Sequence, residues 1–140
     1  MRTSMVAAAL LIGAGIGLAG IGAGAAWGAD PVEGLWKTLP DDNGKYGYVE
    51  IKPCGDKLCG TLVKAFDSSG TETASDNIGK EIVWDMVPTG EGTYGNGKVW
   101  APDRDKTYAS KMALNGNVLS VSGCVFGGFI CRSSAWARVK

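Results

Sequence analysis

From residue 34 onward the sequence is cut at short intervals by turn signals, and the segments between the cuts alternate apolar and polar side chains. This leaves little room for helix. An amphipathic helix needs an uninterrupted apolar stripe at i, i+3, i+4 and i+7, and none is present. A period of two is the mark of strands with one face buried. Strands are expected at 34–38, 46–52, 58–66, 81–87, 98–101, 107–114, 118–125 and 130–139. Pro53 cannot donate to a ladder and is expected to stop the second strand. Thr89 to Gly97 is expected to be a turn ending in the tight-turn pair Asn96-Gly97, and Asn115-Gly116-Asn117 reads as a second hairpin turn. Asp67 to Gly79 is polar and poor in core formers, so it is expected to be the longest and most mobile loop. Eight strands in hairpin order remove their exposed edges by closing on themselves. The expected fold is all-β: a single antiparallel eight-stranded up-and-down barrel, with a two-sheet sandwich as the alternative. Such a barrel is filled by side chains or holds one small ligand.

The first 28 residues read differently. Arg2 is followed by an uncharged run, Met5 to Trp27, rich in Ala, Gly, Leu and Ile. A basic start, an apolar stretch and small residues near a cut describe a secretory signal peptide. Ala26-Trp27-Gly28 suits cleavage after Gly28, or else after Ala26. This divides the chain into a signal peptide at 1–28 and a barrel domain at 29–140. The run is long enough to be a retained anchor, but its glycines lower both hydrophobicity and helix propensity. An exported protein, periplasmic or secreted, with no membrane span after cleavage, is the expectation.

The chain carries 14 basic and 14 acidic residues. One of the basic ones is Arg2, so the mature part is nearly neutral and lacks the clustered basic face that nucleic acid requires. It has no His, which removes the commonest general base and zinc ligand. Cys54, Cys59, Cys124 and Cys131 form an even set, expected to make two disulfides after export. Loop entropy alone favours a long crossing, about 4.5 against about 2 kcal/mol for each short loop. However, each sequential pair brackets a turn, where facing strand positions come within disulfide range, so Cys54–Cys59 and Cys124–Cys131 are expected. The spacing is too wide for the usual four-cysteine zinc knuckle. The carboxylates sit mostly in turns, where Asp bonds the backbone, and 67–77 lacks the calcium-loop pattern. No catalytic residue, metal or cofactor is assigned.

Gly34-Leu35-Trp36, Cys54 to Cys59-Gly60, Lys106-Thr107-Tyr108, Leu119 to Cys124 and the closing Cys131-Arg132-Ser133-Ser134-Ala135-Trp136-Ala137-Arg138 together resemble the bacterial domain-of-unknown-function 2147 family. The one departure is Asp105, where that pattern has Gly. The resemblance implies a small exported, lipocalin-like barrel with no established chemistry. Lipocalin-like folds lay an Arg of the last strand over the Trp of a Gly-x-Trp on the first. Gly34, Trp36 and Arg138 (or Arg132) match that arrangement, which closes the barrel with a cation–π contact of about 0.5–2 kcal/mol.

Trp84, Trp100, Tyr108 and Trp136 fall on expected strands, where such side chains fill a core or line a pocket. With Met112, adaptable in shape, they are the candidate ligand-binding residues. Two functional readings follow from the residues: a non-enzymatic envelope protein holding a small apolar ligand, and a structural or interaction module meeting another envelope protein. A carboxylate-dependent hydrolase is the third, with no pair of acids singled out for it.

Overall fold

The computed structural model describes residues 29–140; the signal peptide expected at 1–28 and its cleavage point lie outside them. The strands are β1 (Gly34–Lys37), β2 (Tyr46–Cys54), β3 (Lys57–Phe66), β4 (Glu72–Thr73), β5 (Glu81–Gly90), β6 (Thr93–Ala101), β7 (Lys106–Asn115), β8 (Val118–Val125) and β9 (Ile130–Arg138). Every long strand pairs antiparallel with the next, and β9 returns to β1. The eight long strands therefore form the closed up-and-down barrel that the alternation implies. The short β4 lies outside the ring, against Ala65 and Phe66 of β3. Among the described residues no helix is long and apolar enough to cross a membrane.

Two expected turns are placed differently. The strand does not stop at Pro53, which pairs with Leu58 next to the Gly55–Asp56 turn. In a two-residue hairpin the flanking pair, here Cys54 and Lys57, exchanges hydrogen bonds and the next pair does not. The missing N–H of Pro53 thus faces the side where β1 has already ended, opposite Ile51, and no ladder bond is lost. Asn96-Gly97 is not a hairpin turn; the chain reverses at Glu91-Gly92. Asn96 (φ 62°) makes a bulge in β6, where the register steps from Tyr94 opposite Met112 to Gly97 opposite Ser110. A residue that tolerates positive φ serves a bulge as well as a turn. Gly97 allows close approach, since a Cβ there would lie 2.5 Å from the Met86 sulfur. The 67–79 segment is tied down by its own hydrogen bonds and by Gly79 donating to the Leu62 carbonyl at 2.8 Å.

The two ends of the barrel differ. At one end lie the tight turns at 55–56, 91–92 and 116–117, and the inward side chains there pack solidly: Val32, Trp36, Ile51, Met86, Met112 and Leu119 are buried. The seam between β9 and β1 also lies here. Its ladder is short, with Ala137 opposite Lys37 and Arg138 opposite Trp36. Side chains reinforce it. The Arg138 guanidinium carbon sits 4.4 Å from the Trp36 ring centroid. The same guanidinium donates to the carbonyls of Pro31 at 2.6 Å and Glu33 at 3.2 Å, and Trp36 Nε1 donates to the Val32 carbonyl at 2.9 Å. Gly34 (φ 138°) leaves space for this: a Cβ there would lie 2.6 Å from the Lys140 carbonyl oxygen and 3.0 Å from Arg138 Nη1.

The disulfides staple one hairpin at each end. Cys54–Cys59 spans the β2–β3 turn at the closed end, and Cys124–Cys131 joins directly opposed residues of β8 and β9 at the other, with Cα atoms 4.1 Å apart.

Trp36→Ala is expected to cost about 3–5 kcal/mol of stability through the cavity it leaves. Arg138→Ala is expected to cost about 2–3 kcal/mol through the lost cation–π contact and charged hydrogen bonds. Gly34→Ala should also destabilise, and less than additively when combined with Arg138→Ala. Urea unfolding midpoints measure all of these; an Arg138→Ala variant as stable as the parent contradicts the seam's role.

Candidate functional site

The other end carries the longer links at 38–45, 67–80, 102–105 and 126–129, and the barrel there is hollow. Two adjoining cavities, each about 500 Å³, share Leu39, Val99, Ala101, Ser134 and Trp136 in their walls. One continues past Tyr108, Val121 and Gly123 to β8 and β9. The other continues past Val49, Leu62, Ile82 and Trp100 towards the 67–80 link. None of Val32, Trp36, Ile51, Met86, Met112 or Leu119 reaches either cavity. The floor is thus the boundary between a packed half and an empty half. Ser110 sits at the same inward parity as Tyr108 and Met112, and its hydroxyl is buried with no hydrogen-bond partner among the described residues.

Three of the five candidate ligand-binding residues come together here. Trp136 lines both cavities, Tyr108 the first and Trp100 the second. Trp100 is held by its Nε1, which donates to Asp105 Oδ1 at 2.9 Å, with Lys80 Nζ 5.3 Å from its ring centroid. Met112 is a core residue of the packed half, and Trp84 belongs to neither the core cluster nor a cavity wall. Of the closure residues, Arg138 covers Trp36, whereas Arg132 faces the first cavity.

Several residues of the site are not singled out by the sequence, and Arg132 is singled out only for the barrel seam. Val99 and Val121 have a readable signal, because they share strand parity with the buried side chains. The tip between β8 and β9 has none. Phe126 and Phe129 are 74% and 91% exposed, and with Val125, Ile130 and Leu39 they form an apolar rim beside the cavity mouth. Phe126 (φ 54°) and the two glycines after it make the tight reversal, and Cys124–Cys131 pins its base.

The acids at this end are mostly engaged in holding loops. Asp41 Oδ1 accepts the Asn43 and Lys45 amides at 2.8 and 3.0 Å, fixing the 38–45 link. Asp67 Oδ1 accepts the Ser69 hydroxyl at 2.6 Å and the Ser69 and Thr71 amides at 2.9 and 3.0 Å. Among the described residues, Cys54, Cys59 and Glu81 bring possible metal-binding atoms together. The two sulfurs are bonded to each other, which leaves one carboxylate, too few for a metal site.

The Ser69 hydroxyl, followed by the Thr71 amide, holds the Asp67 carboxyl below its ordinary value of 3.8. A carboxyl depressed by folding contributes stability above its unfolded pKa and loses it as pH falls through the lower folded value. Carbon-detected NMR titration should therefore place the Asp67 midpoint below 3.8. Asp67→Asn should remove the acid dependence of amide protection at Ser69 and Thr71; a midpoint at or above 3.8 contradicts this cap.

Comparison with known proteins agrees with this geometry. A family model described as uncharacterized protein conserved in bacteria (DUF2147) matches residues 34–138. A solved structure, protein HP1028 from the human pathogen Helicobacter pylori, described as belonging to the lipocalin family, superposes with a TM-score of 0.63 at 19% identity. The match covers 78% of this chain and 83% of that one. At that identity the likeness concerns the fold. No curated protein matches the chain. The family match spans the barrel from its first strand to its last, and the chain belongs to the DUF2147 family of bacterial proteins, with a lipocalin-like fold.

Proposed function

We propose that the protein is exported to the periplasm or beyond and, without catalysing a reaction, holds a small apolar molecule in the open half of its barrel. The observation that carries this reading is the hollow beneath the longer links, walled by Trp136, Val99 and Val121. Pockets for small ligands are of this kind: about 300–1,000 Å³, mostly apolar, with a few placed polar groups. Paired cysteines support an oxidising compartment. The absence of His and the use of Asp41, Asp67 and Asp105 as loop fasteners speak for binding rather than acid–base chemistry.

Native mass spectrometry of protein purified from its own host should show a bound small molecule, and the delipidated protein should bind a hydrophobic dye. Ala101 is half-buried in the walls of both cavities. Ala101→Trp is expected to fill the mouth and weaken dye binding about tenfold. A consistently empty barrel that takes no dye would overturn the reading.

The exposed Phe126–Phe129 tip favours a second reading, in which the rim meets another envelope component. Exposed apolar patches at a site's edge mark such contacts. In-cell crosslinking from position 130, which is exposed beside the tip, should capture a partner, and Phe126→Ser with Phe129→Ser should abolish that capture. Unchanged products would remove the tip from consideration.

A further inference from the structure

We propose that the first cavity takes a single-chain anionic amphiphile, with its acid head group on Arg132 and its chain running over Trp136. This rests on the apolar-cavity reading above and adds the head-group chemistry.

Strand parity supplies the first argument. Ile130, Arg132, Ser134 and Trp136 alternate along β9 and all line the first cavity, and the burial of Trp136 fixes their face as the inward one. A cation therefore stands at an inward position above an apolar floor.

The lack of a protein partner supplies the second. The residue opposite Arg132 is Gly123, which offers no side chain. Among the described residues the Arg132 side chain makes neither an ion pair nor a hydrogen bond. The other arginine of this cavity, Arg104, has Asp103 4.0 Å away. Of the carboxylates lining this cavity, Asp41 accepts two loop amides through Oδ1 and Asp103 lies beside Arg104. Asp42 is left, exposed on the 38–45 link at the rim rather than on the inward face of a strand.

The third argument is desolvation. With the cavity mouth open to water, Arg132 is exposed and hydrated, so its charge costs little. An apolar guest that covers the mouth removes this water, and an unpaired buried charge is then costly. A guest with its own carboxylate or phosphate ester offsets that loss. The planar guanidinium grips such an oxyanion through two parallel hydrogen bonds. The site thus discriminates against a neutral guest of the same chain length.

Titration calorimetry on delipidated full-length mature protein with decanoate, decanol and acetate tests this. Decanoate should bind at least about tenfold more tightly than decanol, and acetate should bind immeasurably. Arg132→Gln should weaken decanoate about tenfold and leave decanol unchanged, while Arg132→Lys should fall between. Decanol binding as tightly as decanoate, or decanoate indifferent to Arg132→Gln, overturns the head-group assignment and leaves the apolar cavity standing. Acetate binding as well as decanoate would make this a free-anion site and overturn the amphiphile. Failure of both ten-carbon probes would overturn the cavity reading as well.

Discussion

A barrel whose last strand meets its first over so short a ladder needs more than backbone hydrogen bonds to keep its seam shut. Here the seam is held by Arg138, which lies on Trp36 and donates to the carbonyls of Pro31 and Glu33. Together these contacts fix β1 and the segment before it against β9. Trp36 is fully buried and is itself tethered to Val32 through its indole N–H, so one cluster plugs the closed end and joins the termini of the ring. Removing the guanidinium takes away its hydrogen bonds to the Pro31 and Glu33 carbonyls as well as the cation–π attraction.

Because the closed end is packed, the open end is free to be hollow. The inward side chains change along the strand direction, from Met86, Met112 and Leu119 at one end to Val99, Tyr108 and Gly123 at the other. The loops change with them, from two-residue turns to longer links braced by Asp41 and Asp67. A fixed seam and a disulfide at each end make the hollow a standing feature of the fold. A ligand entering a preformed site meets little ordering cost. The two tryptophans nearest the ends have opposite roles: Trp36 stops the barrel and Trp136 floors its cavity.

Much of this was legible in the sequence. Alternation and turn spacing are local and strong, so the eight-stranded barrel and its strand order could be read directly. The family resemblance pointed to Gly34, Trp36 and Arg138. Asn96-Gly97 misled because positive φ serves bulges as readily as turns, and only the register across β6 and β7 separates the two. Pro53 misled because the end of β1 decides whether its missing N–H matters, and no local pattern contains that information. Composition does not separate the aromatic residues, yet Trp136 and Trp84 differ by the strand face they occupy, and Met112 differs from Tyr108 by depth along one strand. Arg132 was read as a possible cover for Trp36, and its place six residues before Arg138 could not tell which arginine reached the seam.

The central claim is that one end of this barrel binds and the other end only holds the fold together. The most direct test is a backbone and indole NMR titration of the delipidated protein with decanoate. The account predicts saturable shift changes at Val99, Gly123, Arg132 and the Trp136 indole, with the Trp36 indole unmoved. Changes centred on Trp36 or confined to the outer face of the strands would contradict it.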